Sequence, residues 1–132
     1  MAAWRRLRER AQFQSLLATR PMARSTHFVL HRWSPARADA VADNAAPFTP
    51  PDAIWIGAVT PKRWARRAVT RNLIRRQIYT VFGLASCRLP AGAHLIRLRA
   101  AFDVAQFPSA ASPALRRAVR GELLALLERA AS

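Results

Sequence analysis

A chain of 132 residues is one domain's length, and its 22 basic against seven acidic side chains give a net charge of +15, with 21 of the 22 cations being Arg. That field suits a polyanion, because neutralising phosphates releases condensed counterions and Arg both grips phosphate and stacks on bases. No apolar run approaches the roughly 18 residues that cross a bilayer, and Met1-Ala-Ala-Trp-Arg-Arg has no following apolar stretch, which excludes a membrane protein and a secretory signal.

The lone Cys87 excludes an internal disulfide and fits a reducing compartment, so a cytoplasmic location is expected; nothing nearby makes it a special thiolate, and it reads as a packing residue.

Residues 5 to 18 read as a short amphipathic helix, with Leu7, Ala11, Phe13, Leu16 and Leu17 at near-helical spacing between arginines, stopped by Pro21. Residues 26 to 33 are β-rich and read as a strand. Residues 34 to 52 carry four Pro, six Ala, three Asp and one Asn; that composition cannot build a core and reads as a long, flexible connection. Residues 53 to 60 form a nearly continuous apolar run, a buried strand. Residues 64 to 82 are the longest helical stretch without Gly or Pro, with Gly83 placed as its cap. Residues 93 to 98 read as a last strand after the turn signal Pro90-Ala-Gly. Ser112-Pro113 then gives an N-cap and a first-turn Pro for a closing helix with the stripe Leu115, Val119, Leu123, Leu126 and Leu127. No repeat and no second domain are visible, so residues 1–132 read as a single unit.

The helix at 64 to 82 concentrates the charge. Between Asp52 and Asp103 there are ten basic residues and no acid, and seven of the ten are Lys62, Arg63, Arg66, Arg67, Arg71, Arg75 and Arg76. On a wheel at about 100° per residue, Val69, Leu73, Ile74 and Val81 share an arc of about 140°, while Arg67, Arg71 and Arg75 stack opposite, flanked by Asn72 and Arg76. Like charges four residues apart cost a few tenths of a kcal/mol per pair. Solvated helix faces usually mix signs, so an unrelieved ladder points to an external anion. Asn72 suits a base edge or 2′-hydroxyl, and equally a capped backbone turn.

At this helix the residues become specific. Ala68-Val-Thr-Arg-Asn-Leu-Ile-Arg-Arg-Gln-Ile-Tyr79 resembles the signature helix of the bacterial ribonuclease P protein family, A-V-x-R-N-R-x-K/R-R-x-x-R. Ile56-Gly-Ala-Val-Thr-Pro-Lys-Arg63 resembles the family's G-x-x-V-x-K-K/R strand and exit loop. Leu7 to Gln14 resembles its L-x-x-x-x-D-F opening, Phe28-Val-Leu30 its F-V-L strand, and Arg88-Leu-Pro-Ala-Gly92 the approach to its last strand. The matches run in order from residue 7 to about 99. Leu73 and Tyr79 replace basic residues of the pattern and Thr80 an acid, so those contacts do not carry over. Leu17 and His31 stand where aromatics are commoner.

The resemblance implies an α+β fold, a two-layer α/β sandwich. Its order would be a helix, a sheet of about four strands, the long basic helix, a last strand and a closing helix. It also implies a left-handed β-α-β crossover, a topology shared with a domain of a small-subunit ribosomal protein and against the general rule. The implied function is that of the protein subunit of ribonuclease P. It binds the catalytic RNA and the 5′ leader of precursor tRNA, while the RNA, with Mg2+ at its own active site, removes the leader. The implied contacts to the catalytic RNA are Lys62, Arg63, Arg66, Arg67, Arg71, Asn72, Arg75 and Arg76.

A protein nuclease would need clustered carboxylates to hold two cations about 4 Å apart. Glu9, Asp39, Asp43, Asp52, Asp103, Glu122 and Glu128 are scattered, and His27, His31 and His94 supply no third ligand. His27 and His31 would share one strand face, compatible with a metal pair but more often a polar edge. No catalytic residue and no protein-bound cofactor or metal are therefore expected. Phe13 reads equally as core or as a cleft wall; the resemblance places it, with Leu17, Val29 and His31, in a cleft where unpaired leader bases stack. Two other readings fit the charge: a ribosomal or other structural RNA-binding protein, and a DNA-binding protein using the basic helix in a major groove. The ordered motifs disfavour both. No protein partner is evident.

Overall fold

The apolar runs around Leu30 and Ile56 are adjacent to the same central strand of a five-stranded sheet in a computed structural model, which describes residues 4–34, 48, 53–85 and 88–131. In chain order the elements are β1 (Trp4–Arg6), α1 (Arg10–Leu17), β2 (Ala23–Arg24), β3 (Phe28–Trp33), β4 (Ile54–Val59), α2 (Ala68–Ala85), β5 (Gly92–Leu98) and α3 (Pro113–Ala131). The sheet order is β1-β4-β5-β3-β2. Parallel pairs are β1 with β4 and β4 with β5; β3 is antiparallel to both β5 and β2. α2 thus crosses over between neighbouring parallel strands.

The central strands are buried on both faces, which is why they read as apolar runs rather than alternating ones. One face sets Phe28, Leu30, Ile56, Ile96 and Leu98 against α2 and α3, forming the expected sandwich. The other face sets Trp33, Trp55, Ala93 and Leu95 against Leu16 of α1 and Leu7. The closing helix starts as expected: Ser112 Oγ accepts the Leu115 N–H at 3.0 Å, Pro113 is the first helical residue, and all five stripe residues are buried. Arg120 Nε donates to Gln77 Oε1 at 2.9 Å and ties α3 to α2.

Several boundaries differ from the sequence reading. The first helix is shorter, because residues 4 to 6 form β1 in parallel register with Ile54 to Ile56. Leu7 follows the strand, donating its N–H to Ile56 O at 2.8 Å, and Gly57 makes room for it: a Cβ there would lie 2.5 Å from Leu7 Cδ1. The helix begins only after Glu9, where the Gln12 amide oxygen accepts the N–H groups of Arg8 and Glu9 at 2.8 and 3.0 Å. β1, with the two-residue β2, makes the sheet five strands rather than about four.

The basic helix begins at Ala68 rather than at 64, since Pro61 O accepts the N–H groups of Trp64 and Ala65 and folds 61 to 65 into a turn. It ends at Ala85, and Gly83 lies inside it, not at its cap. Val69, assigned to the apolar arc, is 49 % exposed. The buried stripe is Ile74, Gln77, Ile78, Val81, Phe82 and Ala85, carried by the later turns that pack on the sheet and α3.

Most of the Pro/Ala-rich connection lies outside the described residues, but Phe48 within it is fully buried, its ring 5.0 Å from that of Trp33. One aromatic therefore joins the core from a segment whose overall composition argued against it. Cys87 lies outside the described residues. Among those described, no helix is long and apolar enough to cross a membrane.

Candidate nucleic-acid interface

The turn after β4 and the first turns of α2 carry all eight residues of the basic surface. Lys62 and Arg63 sit in the turn, Arg66 and Arg67 lead into the helix, and Arg71, Asn72, Arg75 and Arg76 follow within it. All are exposed except Arg71, which is half-buried. Among the described residues none of the eight pairs with a carboxylate.

Two of them are also structural. Arg71 Nη1 donates to Ala65 O at 3.0 Å and to Arg66 O at 2.7 Å, bracing the turn from the helix. Arg75 donates to Asn72 Oδ1 at 3.2 Å and to Thr60 Oγ1 at 3.1 Å, so Asn72 holds Arg75 rather than capping a turn. The Arg67 carbonyl accepts the N–H groups of Thr70 and Arg71, so Arg67 stands at the helix start, where the dipole adds to the positive potential.

The second surface is the sheet face beneath α1. Strand alternation puts Val29 and His31 on this face. The pairings of Val29 with Arg97 and with Arg24 set both arginines beside them. Phe13 is half-buried on α1 and Leu17 is 40 % exposed, while Val29 and His31 are each only 2 % exposed. The four residues expected to line a cleft thus divide into two accessible ones on α1 and two covered ones on β3, and His31 is not an open stacking platform.

His31 Nδ1 lies 3.2 Å from Thr19 O and 3.3 Å from Thr19 Oγ1; the carbonyl can only accept, which assigns the ring proton to Nδ1. Its Nε2 is buried without a partner among the described residues. Burial, then the Arg97 charge, lowers its pKa against the Thr19 carbonyl bond, and Arg24 lowers it further, so the ring is neutral at pH 7.

The two histidines expected on one face are separated, because the strand starts at Phe28 and His27 belongs to the preceding turn. His27 Nδ1 lies 2.7 Å from Glu122 Oε1 of α3, and its ring stacks on Phe102 at 3.8 Å. Glu122 also accepts from the Ser25 hydroxyl and, at 2.7 Å, from the His27 N–H. Burial by itself would raise the Glu122 pKa; these hydrogen bonds and the His27 charge together hold it below the usual range. Among the described residues no three His, Cys, Asp or Glu side chains converge as a metal site. Asp39, Asp43 and Asp52 lie outside them.

Sequence reasoning missed several cations. Arg24 and Arg97 join the sheet face of Val29 and His31 only through strand register. Arg5 and Arg6, read as helical, stand on β1 with Arg5 5.6 Å from the centre of the Trp55 ring and Arg6 4.0 Å from that of Tyr79. No local signal marked β1, whose three residues are all exposed.

A family model described as Ribonuclease P matches residues 1–123. The chain is 36 % identical to the ribonuclease P protein component of Paraburkholderia xenovorans (strain LB400) over 126 residues, 96 % of this chain and 80 % of that one. It is 39 % identical to the component of Ralstonia pickettii (strain 12J) over 123 residues, 93 % of this chain and 76 % of the relative. The structure of the Staphylococcus aureus RNase P protein is similar in fold, with a TM-score of 0.66 at 18 % identity over 95 % of this chain and 94 % of that chain. Ordered motifs, fold and relatives agree that this chain belongs to the ribonuclease P protein family.

Proposed function

We propose that this chain is the protein subunit of a bacterial ribonuclease P, acting in the cytoplasm in 5′ processing of tRNA. It holds the catalytic RNA through the turn after β4 and the start of α2, and the single-stranded leader of precursor tRNA in the cleft between α1 and the sheet. The observation that carries this reading is the basic surface itself: seven cations within residues 62 to 76, with no acid between Asp52 and Asp103. Such a surface repels itself unless a polyanion covers it, and each phosphate neutralised there releases counterions.

In the cleft, Phe13 and Leu17 form a wall that a base can stack or pack against, Val29 and His31 form the floor, and Arg24 and Arg97 reach the backbone phosphates. The protein positions; the RNA cuts. In this reading the Mg2+ of the reaction belongs to the RNA active site, where it would supply the nucleophile and stabilise the leaving oxygen. The chain's own residues would contribute binding and alignment of the leader.

The identity of the RNA that co-purifies with the protein tests this reading. Ribonuclease P RNA together with precursor tRNA is the expected result. Ribosomal RNA in their place would make the chain a structural RNA-binding protein instead.

A further inference from the structure

The start of α2 does more than present charge. Behind the arginines lies a cavity of about 490 Å3 between the 61–67 turn, α2 and the connection from β5 to α3. Its inner walls are apolar and largely aromatic: Ile74 and Leu115 are buried, and Trp64, Phe102 and Phe107 are half-buried. Its outer residues include Arg63, Arg66 and Arg67, all exposed, and among the described residues no carboxylate lines it.

The walls are held in place. Thr70 Oγ1 donates to Ala110 O at 2.6 Å and fixes the outer connection to α2. The Arg71 guanidinium holds the carbonyls of Ala65 and Arg66 and so fixes the turn opposite. Phe107 meets Phe102 edge-on at 5.9 Å, and Phe102 is itself stacked on His27. The Trp64 indole N–H is buried without an acceptor among the described residues, so Trp64 offers the cavity its ring and not its donor.

Resting on the reading of this chain as an RNA-binding subunit, we infer that the cavity receives one unstacked nucleobase of the catalytic RNA, with the flanking phosphates on Arg63, Arg66 and Arg67. A solvated basic face needs no apolar hole behind it, and an apolar small molecule needs no ring of arginines in front. A nucleotide needs both: a flat π surface for the base and cations for the phosphates on either side. The volume is in the range of small-ligand sites and exceeds what a base alone requires.

The test uses the full chain with a bacterial ribonuclease P RNA as the probe. Ala110→Trp fills the cavity without removing a charge, and Phe107→Leu keeps apolar volume but removes the π face. Both should weaken RNA binding at least about fivefold while leaving the salt slope unchanged. Arg66→Ala should instead flatten that slope by about one ion. Unchanged affinity in both cavity variants, with circular dichroism showing a native fold, overturns the base pocket.

A second measurement needs no variant. Ultraviolet cross-linking of the wild-type complex should leave a nucleotide adduct on the peptides carrying Trp64 or Phe107, and adducts confined to other segments overturn the proposal. If wild-type protein binds that RNA tightly and only these results fail, the pocket alone is wrong. If wild-type protein does not bind it, the subunit reading falls and the pocket with it.

Discussion

The guanidinium of Arg6 on β1 lies over the ring of Tyr79 in α2, 4.0 Å from its centroid. Tyr79 stands where the family pattern has a basic residue, and its π face gathers a cation from another element of the fold. A double-mutant cycle on Arg6→Ala and Tyr79→Leu should show a coupling of about 0.5–1 kcal/mol in unfolding free energy, and Tyr79→Phe should preserve it. Additive losses would mean the two groups are merely adjacent.

Arg71 and Arg75 look equivalent on a helical wheel but differ in their internal work. Arg71→Ala should lower both RNA affinity and stability, the latter by about 1–2 kcal/mol, because the carbonyls of Ala65 and Arg66 lose their donor. Arg75→Ala should flatten the salt dependence of RNA affinity by about one ion and cost less stability than Arg71→Ala, since its bonds go to the side chains of Asn72 and Thr60 rather than to turn carbonyls. Arg129→Ala, in the last turn of α3, should change both far less. Equal losses of affinity at all three positions would mean the charge acts only as a diffuse field.

If Phe13 lines the proposed leader cleft, Phe13→Leu should weaken binding of precursor tRNA to the reconstituted holoenzyme and leave mature tRNA almost unaffected, since Leu keeps the apolar volume but not the flat ring. His31→Ala is expected to reduce stability first, because the ring is 2 % exposed and its Nδ1 proton is held by Thr19. The readout is the ratio of the two tRNA affinities. If both substrates weaken together, Phe13 belongs to the core.

His94 is fully buried between β3 and α2 residues, taking a hydrogen bond from Arg32 Nε at 3.0 Å and lying 3.0 Å from Pro90 O through Nε2. Burial pushes its pKa from 6.5 down to about 4, against the Pro90 bond, with the Arg32 charge acting in the same direction as burial. Between those values the unfolded chain takes up a proton that the folded chain refuses. The stabilisation is complete above pH 6.5 and is lost as the pH falls towards 4, by up to about 3 kcal/mol. Urea unfolding at pH 7.5 and 4.5 should show this loss, and His94→Gln should reduce it. An identical pH dependence in the variant would assign the loss to other groups.

The parts of the fold legible in the sequence were those fixed by local chemistry. Ile54–Val59 announces itself as a strand because both faces are buried, and Ser112-Pro113 specifies a helix start because cap and ring geometry are local. β1 was hidden because its three residues have no strand character apart from their partners Ile54 to Ile56, some fifty positions away. The cation ladder on α2 was legible from spacing, but not that Arg71 turns back to brace the 61–67 turn, since the turn itself depends on Pro61. Arg24 and Arg97 could be placed beside Val29 only once the register of β2, β3 and β5 was known.

The central claim is that this protein positions RNA while RNA performs the cleavage. The most direct measurement is reconstitution with a bacterial ribonuclease P RNA at low magnesium, following 5′ processing of precursor tRNA. The protein should stimulate cleavage at the mature 5′ end when added to the RNA and give no cleavage without it. Correct 5′ cleavage by RNA-free protein, or no stimulation of the RNA, would contradict the account.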